Sequence, residues 1–358
     1  MKKPTLFTAI VFAFIIASCS SDSDNPKIIE TYDNTFILTF ESDKTSLGHL
    51  DTAFAFTPDV YTSVNGNASS MYNDNESIYI VNRKGPNFIS QLNIETLSEE
   101  SIVSNSDIDN PGNLLMYSED EGLIVGSTGR GRRKKYQLGH VNINTGISAP
   151  IETISTKMLP SNSALLLDNN NVLIADGKTL KAMDIVSKKI TALQEFKEHI
   201  SGIIKDADGF IWVATEKRTE KASFIKLNFD YSIAENITIT NDNVNLYTNS
   251  LLTMSKNSYN AYWSESSSGI IYRFNTKSKT IEKFSTPMLN DVLLTTLVKE
   301  HPLTKKVYVL GLEDFLDTEK SVLVIYNEDK TRSKLIKNVG NSPIDIIFSD
   351  KEYIGKQP

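Results

Sequence analysis

Few residues in this chain of 358 invite chemistry: four histidines, scattered loop carboxylates, two tryptophans, one dense run of cations and a single cysteine. The histidines, His49, His140, His199 and His301, stand far apart, and no pair has the helical or hairpin spacing of metal ligands. Asp176, Glu216, Glu265, Glu313 and Asp314 could converge on a calcium ion or on hydrolytic chemistry if the fold brought them together. The cation run is Gly129-Arg130-Gly131-Arg132-Arg133-Lys134-Lys135-Tyr136. It could grip a phosphate-bearing or otherwise anionic ligand, or stand as a solvated loop extended by its own charge. It is no phosphate-cradling P-loop, because no Gly-Lys-Ser/Thr follows at the required spacing. Trp263, beside Ser264 and Glu265, could stack on a planar ligand or pack in the core; Trp212 reads as core.

The cysteine has a different chemistry. Lys2 and Lys3 precede an apolar run from Leu6 to Ala17, twelve residues broken only by Thr8. That length suits a signal peptide and falls short of the roughly 20 residues that span a bilayer. The run ends in Ile16-Ala17-Ser18-Cys19, which resembles the bacterial lipobox, so Cys19 is the expected lipidation site and residues 1–18 the signal peptide. Acylation then supplies membrane affinity, about 0.8 kcal/mol per buried methylene. Residues 19–30, opening Ser20-Ser21-Asp22-Ser23-Asp24, read as a lipidated cysteine followed by an acidic, solvated tether. With the sole cysteine engaged as anchor, no disulfide and no thiol nucleophile remain.

Removal of residues 1–18 leaves 35 basic against 44 acidic residues, a net charge of −9. Such a chain is a poor nucleic-acid binder, and no nucleic-acid partner is expected. The remainder is rich in short Val-, Ile-, Tyr- and Phe-containing runs and poor in 3.6-residue stripes, which favours β structure.

A repeat supplies the architecture. An apolar residue followed by Asn or Asp and a turn-prone stretch recurs at Asp51, Asn93, Asn142, Asp184, Asn228, Asn275 and Asn327, with gaps of 42 to 52 residues. The short Asx side chain can bond backbone two residues on as one strand hands over to the next. Two further strands precede most copies, for example Ala164 to Leu167 and Asn171 to Ala175. Four strands in roughly 46 residues is the period of a β-propeller blade. The spacing therefore predicts an all-β, seven-bladed propeller of four-stranded antiparallel blades over residues 31–358. Ser342 to Phe348 supplies the inner strand of a blade whose middle strands, Thr35 to Phe40 and Ser46 to Asp51, lie at the other end of the chain, so both termini build the closing blade.

Propeller geometry nominates one face. The loops leaving each second strand and those leading into each first strand share it, and the ligand-contacting groups expected there are Asn82, Asn87, Asn110, Arg130, Arg132 and Tyr136. Asp176, Lys178, Glu216, Asn249, Trp263, Glu265 and Asn341 complete the candidate set from the remaining blades.

With the lipobox, the strand–Asx turn–strand phrase and the opening Phe36-Ile37-Leu38-Thr39-Phe40-Glu41 in hand, residues 31 to 350 resemble the YncE-like surface propellers of Bacteroidetes lipoproteins, catalogued as domain of unknown function 5074. Thr39 and Phe40 depart from the usual Val-Leu-Asn-Glu-Gly opening, marking a divergent member. Ile203 to Thr215 also resembles a blade of the propellers in bacterial two-component sensors. Some relatives are similar to surface proteins that capture cobalamin for a TonB-dependent transporter. The resemblance thus implies an outer-membrane lipoprotein, surface-exposed or, alternatively, on the periplasmic face, that binds a small ligand, a corrinoid or another scarce nutrient, without catalysis and without a resident cofactor unless it is calcium. A protein- or glycan-binding scaffold and a metal-dependent, lactonase-like hydrolase are the competing readings.

Overall fold

The computed structural model describes residues 34–355 apart from 41–43, 65–66, 130–132, 155–162, 168–169, 249, 266–268, 287–291 and 315. The lipobox, Cys19 and the tether lie outside the described residues, as do Arg130, Arg132 and Asn249.

Seven four-stranded antiparallel sheets form the blades of a β-propeller. Blade 1 contains β1 (Asn34–Phe40), β2 (Thr45–Leu50) and β3 (Phe56–Ser63). Blade 2 is β4 (Ala68–Asn73), β5 (Ser77–Asn82), β6 (Ile89–Asn93) and β7 (Glu99–Val103). Blade 3 is β8 (Leu114–Met116), β9 (Glu121–Thr128), β10 (Lys135–Asn142) and β11 (Gly146–Ile154). Blade 4 runs from β12 (Ala164–Leu166) through β13 (Asn171–Asp176) and β14 (Thr179–Asp184) to β15 (Ile190–Glu195). Blade 5 comprises β16 (Ile200–Lys205), β17 (Ile211–Thr215), β18 (Ser223–Leu227) and β19 (Ile233–Thr238). Blade 6 comprises β20 (Thr253–Met254), β21 (Asn260–Ser264), β22 (Ile271–Asn275) and β23 (Thr280–Ser285). Blade 7 comprises β24 (Leu294–Glu300), β25 (Val307–Leu312), β26 (Ser321–Tyr326) and β27 (Arg332–Lys337). The last strand, β28 (Pro343–Ser349), is the inner strand of blade 1.

The Asx residues stand where the repeat places them, at or just after the third strand of each blade. Asn93 Oδ1 accepts from the amides of Glu95 and Thr96, both at 3.1 Å. Asn142 takes Asn144 and Thr145, and Asn275 takes Lys277 and Ser278. In blades 5 and 7 the acceptor moves two residues on, to Asp230 and Asp329. One inner strand was not legible. β4 is Ala-Ser-Ser-Met-Tyr-Asn and lacks an apolar run, because its hydroxyls bind the next blade: Ser69 Oγ donates to Pro111 O (3.0 Å) and Ser70 Oγ to Gly112 O (2.9 Å).

The core fills the spaces between blades. Between blades 5 and 6, Phe224 stacks on Phe274 at 4.1 Å, and Trp212 and Trp263 lie fully buried around them. Each aromatic buried this way contributes about 2 to 3 kcal/mol of apolar transfer free energy. Asp206 orders the first turn of blade 5, accepting from the Asp208 and Phe210 amides and from Trp212 Nε1 at 2.8 Å. The outermost strands carry charge instead, as in Arg332, Lys334 and Lys337 of β27, which discourages pairing with another chain's edge.

Ring closure joins the two ends. β28 pairs antiparallel with β1, Ile346 opposite Ile37. Asp345 ties three blades together: its carboxylate accepts from Met71 N of blade 2 (2.9 Å) and Lys299 Nζ of blade 7 (3.2 Å). His49 Nε2 donates to Asn34 Oδ1 (2.7 Å), and Asn34 Nδ2 to Lys351 O (2.7 Å). Burial pushes the His49 pKa down, so its ring is neutral where it packs on Phe36 and Tyr353. The register also fixes where the N-terminal segment joins. Thr35 lies opposite Leu50 and Asn34 opposite Ser349, so β1 begins on the face of the Asx turns.

At the end of β24, Glu300 is fully buried, with Asn260 Nδ2 at 3.5 Å and Lys305 Nζ at 3.8 Å. Burial pushes its carboxyl pKa up, and the hydrogen bond from Ser258 and the charge of Lys305 offset this only in part. The folded state keeps its proton over a window where the unfolded chain, at an ordinary value near 4.5, has lost it. Stability from this site therefore falls as pH rises through that window. Glu300→Gln is expected to melt higher than wild type at alkaline pH and level with it below the unfolded value; equal melting shifts across a calorimetric pH series would contradict this.

Candidate functional site

Each second-to-third-strand loop and each loop leading into a first strand open on the face opposite the Asx turns. Between blades 2 and 3 that face holds a cleft of about 710 Å³. Its floor is the lead-in loop of blade 3, Asp109-Asn110-Pro111-Gly112-Asn113; its walls are Ser69 and Arg83 from blade 2 and Ser127, Gly129, Lys134 and Tyr136 from blade 3.

The floor is pinned. Gly112 N donates to Val125 O (2.8 Å), Ser127 N to Asp109 O (3.0 Å) and Asn110 Nδ2 to Ser127 O (3.0 Å), while Ser69 grips Pro111 O from the other blade. Gly126 permits the approach, since a Cβ there would lie 2.2 Å from Ile108 Cγ2 and 2.9 Å from Asp109 O. Asn110 takes the left-handed conformation, φ 44°, which asparagine tolerates better than other residues with a side chain.

The charges of the cleft differ from those elsewhere on the face. Arg83 and Lys134 are exposed and form no ion pair among the described residues; Lys134 Nζ lies 4.9 Å from the centre of the Tyr136 ring. Asp109 is the one carboxylate in the lining. Cations near the other blades are engaged: Arg218 with Glu216 (2.9 Å) and Lys181 with Asp176 (2.7 Å) and Glu152 (2.6 Å). Burial opposes the Lys181 charge, but those two carboxylates outweigh it and hold its pKa above the ordinary lysine value. Glu198, buried, accepts from the Thr219 hydroxyl and from the amides of Thr219 and Glu220 and so fastens the blade 5 loop; these bonds outweigh burial and pull its carboxyl pKa down.

The candidate residues separate into groups. Asn110 and Tyr136 line the cleft, and Arg130 and Arg132, outside the described residues, lie in sequence between two of its lining residues, Gly129 and Lys134. Asn82 is instead a buried tie: its Nδ2 donates to Asn87 O (2.9 Å) and its Oδ1 accepts from Thr45 (3.2 Å). Trp263 corrects the stacking expectation, for it is wholly buried, donates Nε1 to Asn245 O (3.0 Å) and stacks on Tyr272. Glu265 is buried and takes Asn245 Nδ2; Asp176 and Glu216 are buried in the ion pairs above. Lys178 Nζ donates to Lys197 O, and Asn341 O accepts from Phe40 N (3.1 Å) at the closing blade. These groups fasten loops in different blades and do not converge. Glu313 pairs with Lys337 (2.6 Å) and Asp314 with Lys320 (3.6 Å). Among the described residues no group of three or more His, Cys, Asp or Glu side chains is placed to hold a metal ion.

Arg83, Asp109 and Ser69 were not singled out by sequence. A usable signal existed: Arg83-Lys84 leaves the second strand of blade 2, and the cation run leaves the second strand of blade 3, and equivalent loops of adjacent blades are neighbours.

A second cleft of about 710 Å³ lies on the Asx-turn face of the same two blades, lined by Asp74, Glu76, Glu100, Glu119 and Asp120. Two of these carboxylates are engaged in holding the blade. Asp74 accepts from the Glu76 and Ser77 amides and from Tyr79 OH, and Glu100 from Ser77 and Asn93.

Residues 40–343 match the family described as Domain of unknown function (DUF5074). No curated protein matches the sequence. Among solved structures, a putative 6-phosphogluconolactonase from Bacteroides uniformis is similar at 14% identity and a TM-score of 0.61, over 89% of this chain and 99% of that one. A quinoprotein alcohol dehydrogenase-like protein from Bacteroides thetaiotaomicron is similar at 14% identity and 0.60, over 89% and 78%. An oligogalacturonate lyase from Vibrio parahaemolyticus follows at 13% and 0.57, over 83% and 92%. At these identities the likeness is one of fold.

The cleft floor yields a direct test. Asn110→Ala keeps a Cβ in the left-handed region and loses the bond to Ser127, whereas Asn110→Gly loses only the bond. Denaturant titration should find the alanine variant less stable than the glycine variant by about 1 kcal/mol; the reverse order would show that the loop does not hold this conformation.

Proposed function

We propose, from the premise that the chain belongs to the DUF5074 family, that it is a lipid-anchored propeller of the outer membrane that captures a small ligand without altering it. A TonB-dependent transporter would receive the ligand, a corrinoid or another scarce nutrient. The observation that carries this reading is the blade 2–3 cleft: its floor is pinned before any ligand arrives, and Arg83 and Lys134 form no ion pair among the described residues. Preorganisation of this kind lowers the ordering cost of binding.

The topology supports the same reading. The N-terminal segment joins β1 on the Asx-turn face, and the cleft opens on the other.

The test uses the mature chain with Cys19→Ala, which carries no lipid, in a thermal-shift screen against corrinoids, haem, neutral and acidic sugars and calcium. A ligand at about a hundredfold its Kd should raise Tm by about 5 °C. Tyr136→Ala should abolish the shift, and mass spectrometry should recover the ligand unchanged. A shift that survives Tyr136→Ala, chemical turnover, or no shift with any ligand would count against capture.

A further inference from the structure

The geometry points to an oxyanion-bearing, hydroxyl-rich small molecule, an acidic sugar or a sugar phosphate, as the ligand of the blade 2–3 cleft. This rests on the capture reading above and names the class of ligand.

Three features converge. Arg83 and Lys134 reach the cleft from different blades and have no carboxylate partner among the described residues, although the chain as a whole is acidic, at net −7. An arginine fork and a lysine ammonium lining one cleft both suit a carboxylate or phosphate. Arg133 and Lys84, both exposed, adjoin them in sequence and reinforce the local positive potential. Next, the Asp109 carboxylate and the exposed Asn113 side chain form no hydrogen bond among the described residues and offer acceptor and donor groups to hydroxyls. A bare anion would have no use for Asp109, and a neutral sugar would leave the two cations unmatched. Finally, Tyr136, half-buried, presents the one aromatic ring in the lining, a flat surface for the C–H face of a sugar. A cleft of about 710 Å³ accommodates a ligand of this size. The equally large cleft on the opposite face, lined by five carboxylates, would repel the same ligand.

Isothermal titration of the mature Cys19→Ala chain with glucuronate, glucose 6-phosphate and glucose tests the class. At least one of the two acids should bind, with glucose about tenfold weaker or more. Raising NaCl from about 50 to 500 mM should weaken the acids and leave glucose unaffected. Arg83→Gln with Lys134→Gln should weaken them by about tenfold or more, while Lys189→Gln, on the Asx-turn face, should not. The choice between the acids then reports whether the site takes a carboxylate or a phosphate. Glucose binding as tightly as the acids, salt-independent affinity, an unaffected double variant, or no binding of either acid would overturn the inference. If the acids fail while another ligand of the thermal-shift panel binds in a Tyr136-dependent way, the anionic class falls and capture stands; if nothing binds, both fall.

Discussion

The pairing of β28 with β1 is the constraint on which the remaining structure depends. A four-stranded blade has two faces to bury and can cover both only when a neighbour stands on each side. Six blades supply neighbours for one another, but the ring closes only if blade 1 is completed by a strand from the far end of the chain. Opposing Ile37 and Ile346 is therefore a condition for the whole core and not a local contact. Asp345 makes the closure three-sided, since its carboxylate reaches both blade 7 through Lys299 and blade 2 through the amide of Met71.

That connection continues to the cleft. Met71 belongs to β4, and the same strand carries Ser69 and Ser70, whose hydroxyls hold the carbonyls of Pro111 and Gly112. Those residues are the floor on which a ligand would rest. The closing strand thus fixes β4, and β4 fixes the lead-in loop of blade 3 that forms the cleft floor. Closure also sets both ends of the described chain beside the Asx turns.

Much of the fold was legible because it is written in local chemistry. Each Asx side chain answers to backbone amides two or three residues away, so Asn93, Asn142 and Asn275 announce their turns without any knowledge of the tertiary structure. The closing blade was legible because a strand without successors at one end matched strands without a predecessor at the other. β4 escaped because its side chains serve the neighbouring blade, a relation that a single segment does not display. The site was less legible for a related reason. Asn82, Asp176, Glu216 and Glu265 sit in the right loops, but each is engaged by a partner from its own or a neighbouring segment, and Trp263 turns inward to Asn245 and Tyr272. Position in a loop predicts the face; availability depends on partners that only the folded chain reveals. Arg83 is the converse, a residue unremarkable in sequence that matters because nothing among the described residues neutralises it.

The central claim is that the face opposite the Asx turns binds the ligand, between blades 2 and 3. Hydrogen–deuterium exchange of the mature, lipid-free chain, with and without whichever compound stabilises it most, tests this most directly. Protection is expected in residues 82–87, 109–113 and 127–136, with the Asx turns unchanged. Protection confined to the Asx-turn face, at residues 74–76, 118–120 or 206–210, would contradict it.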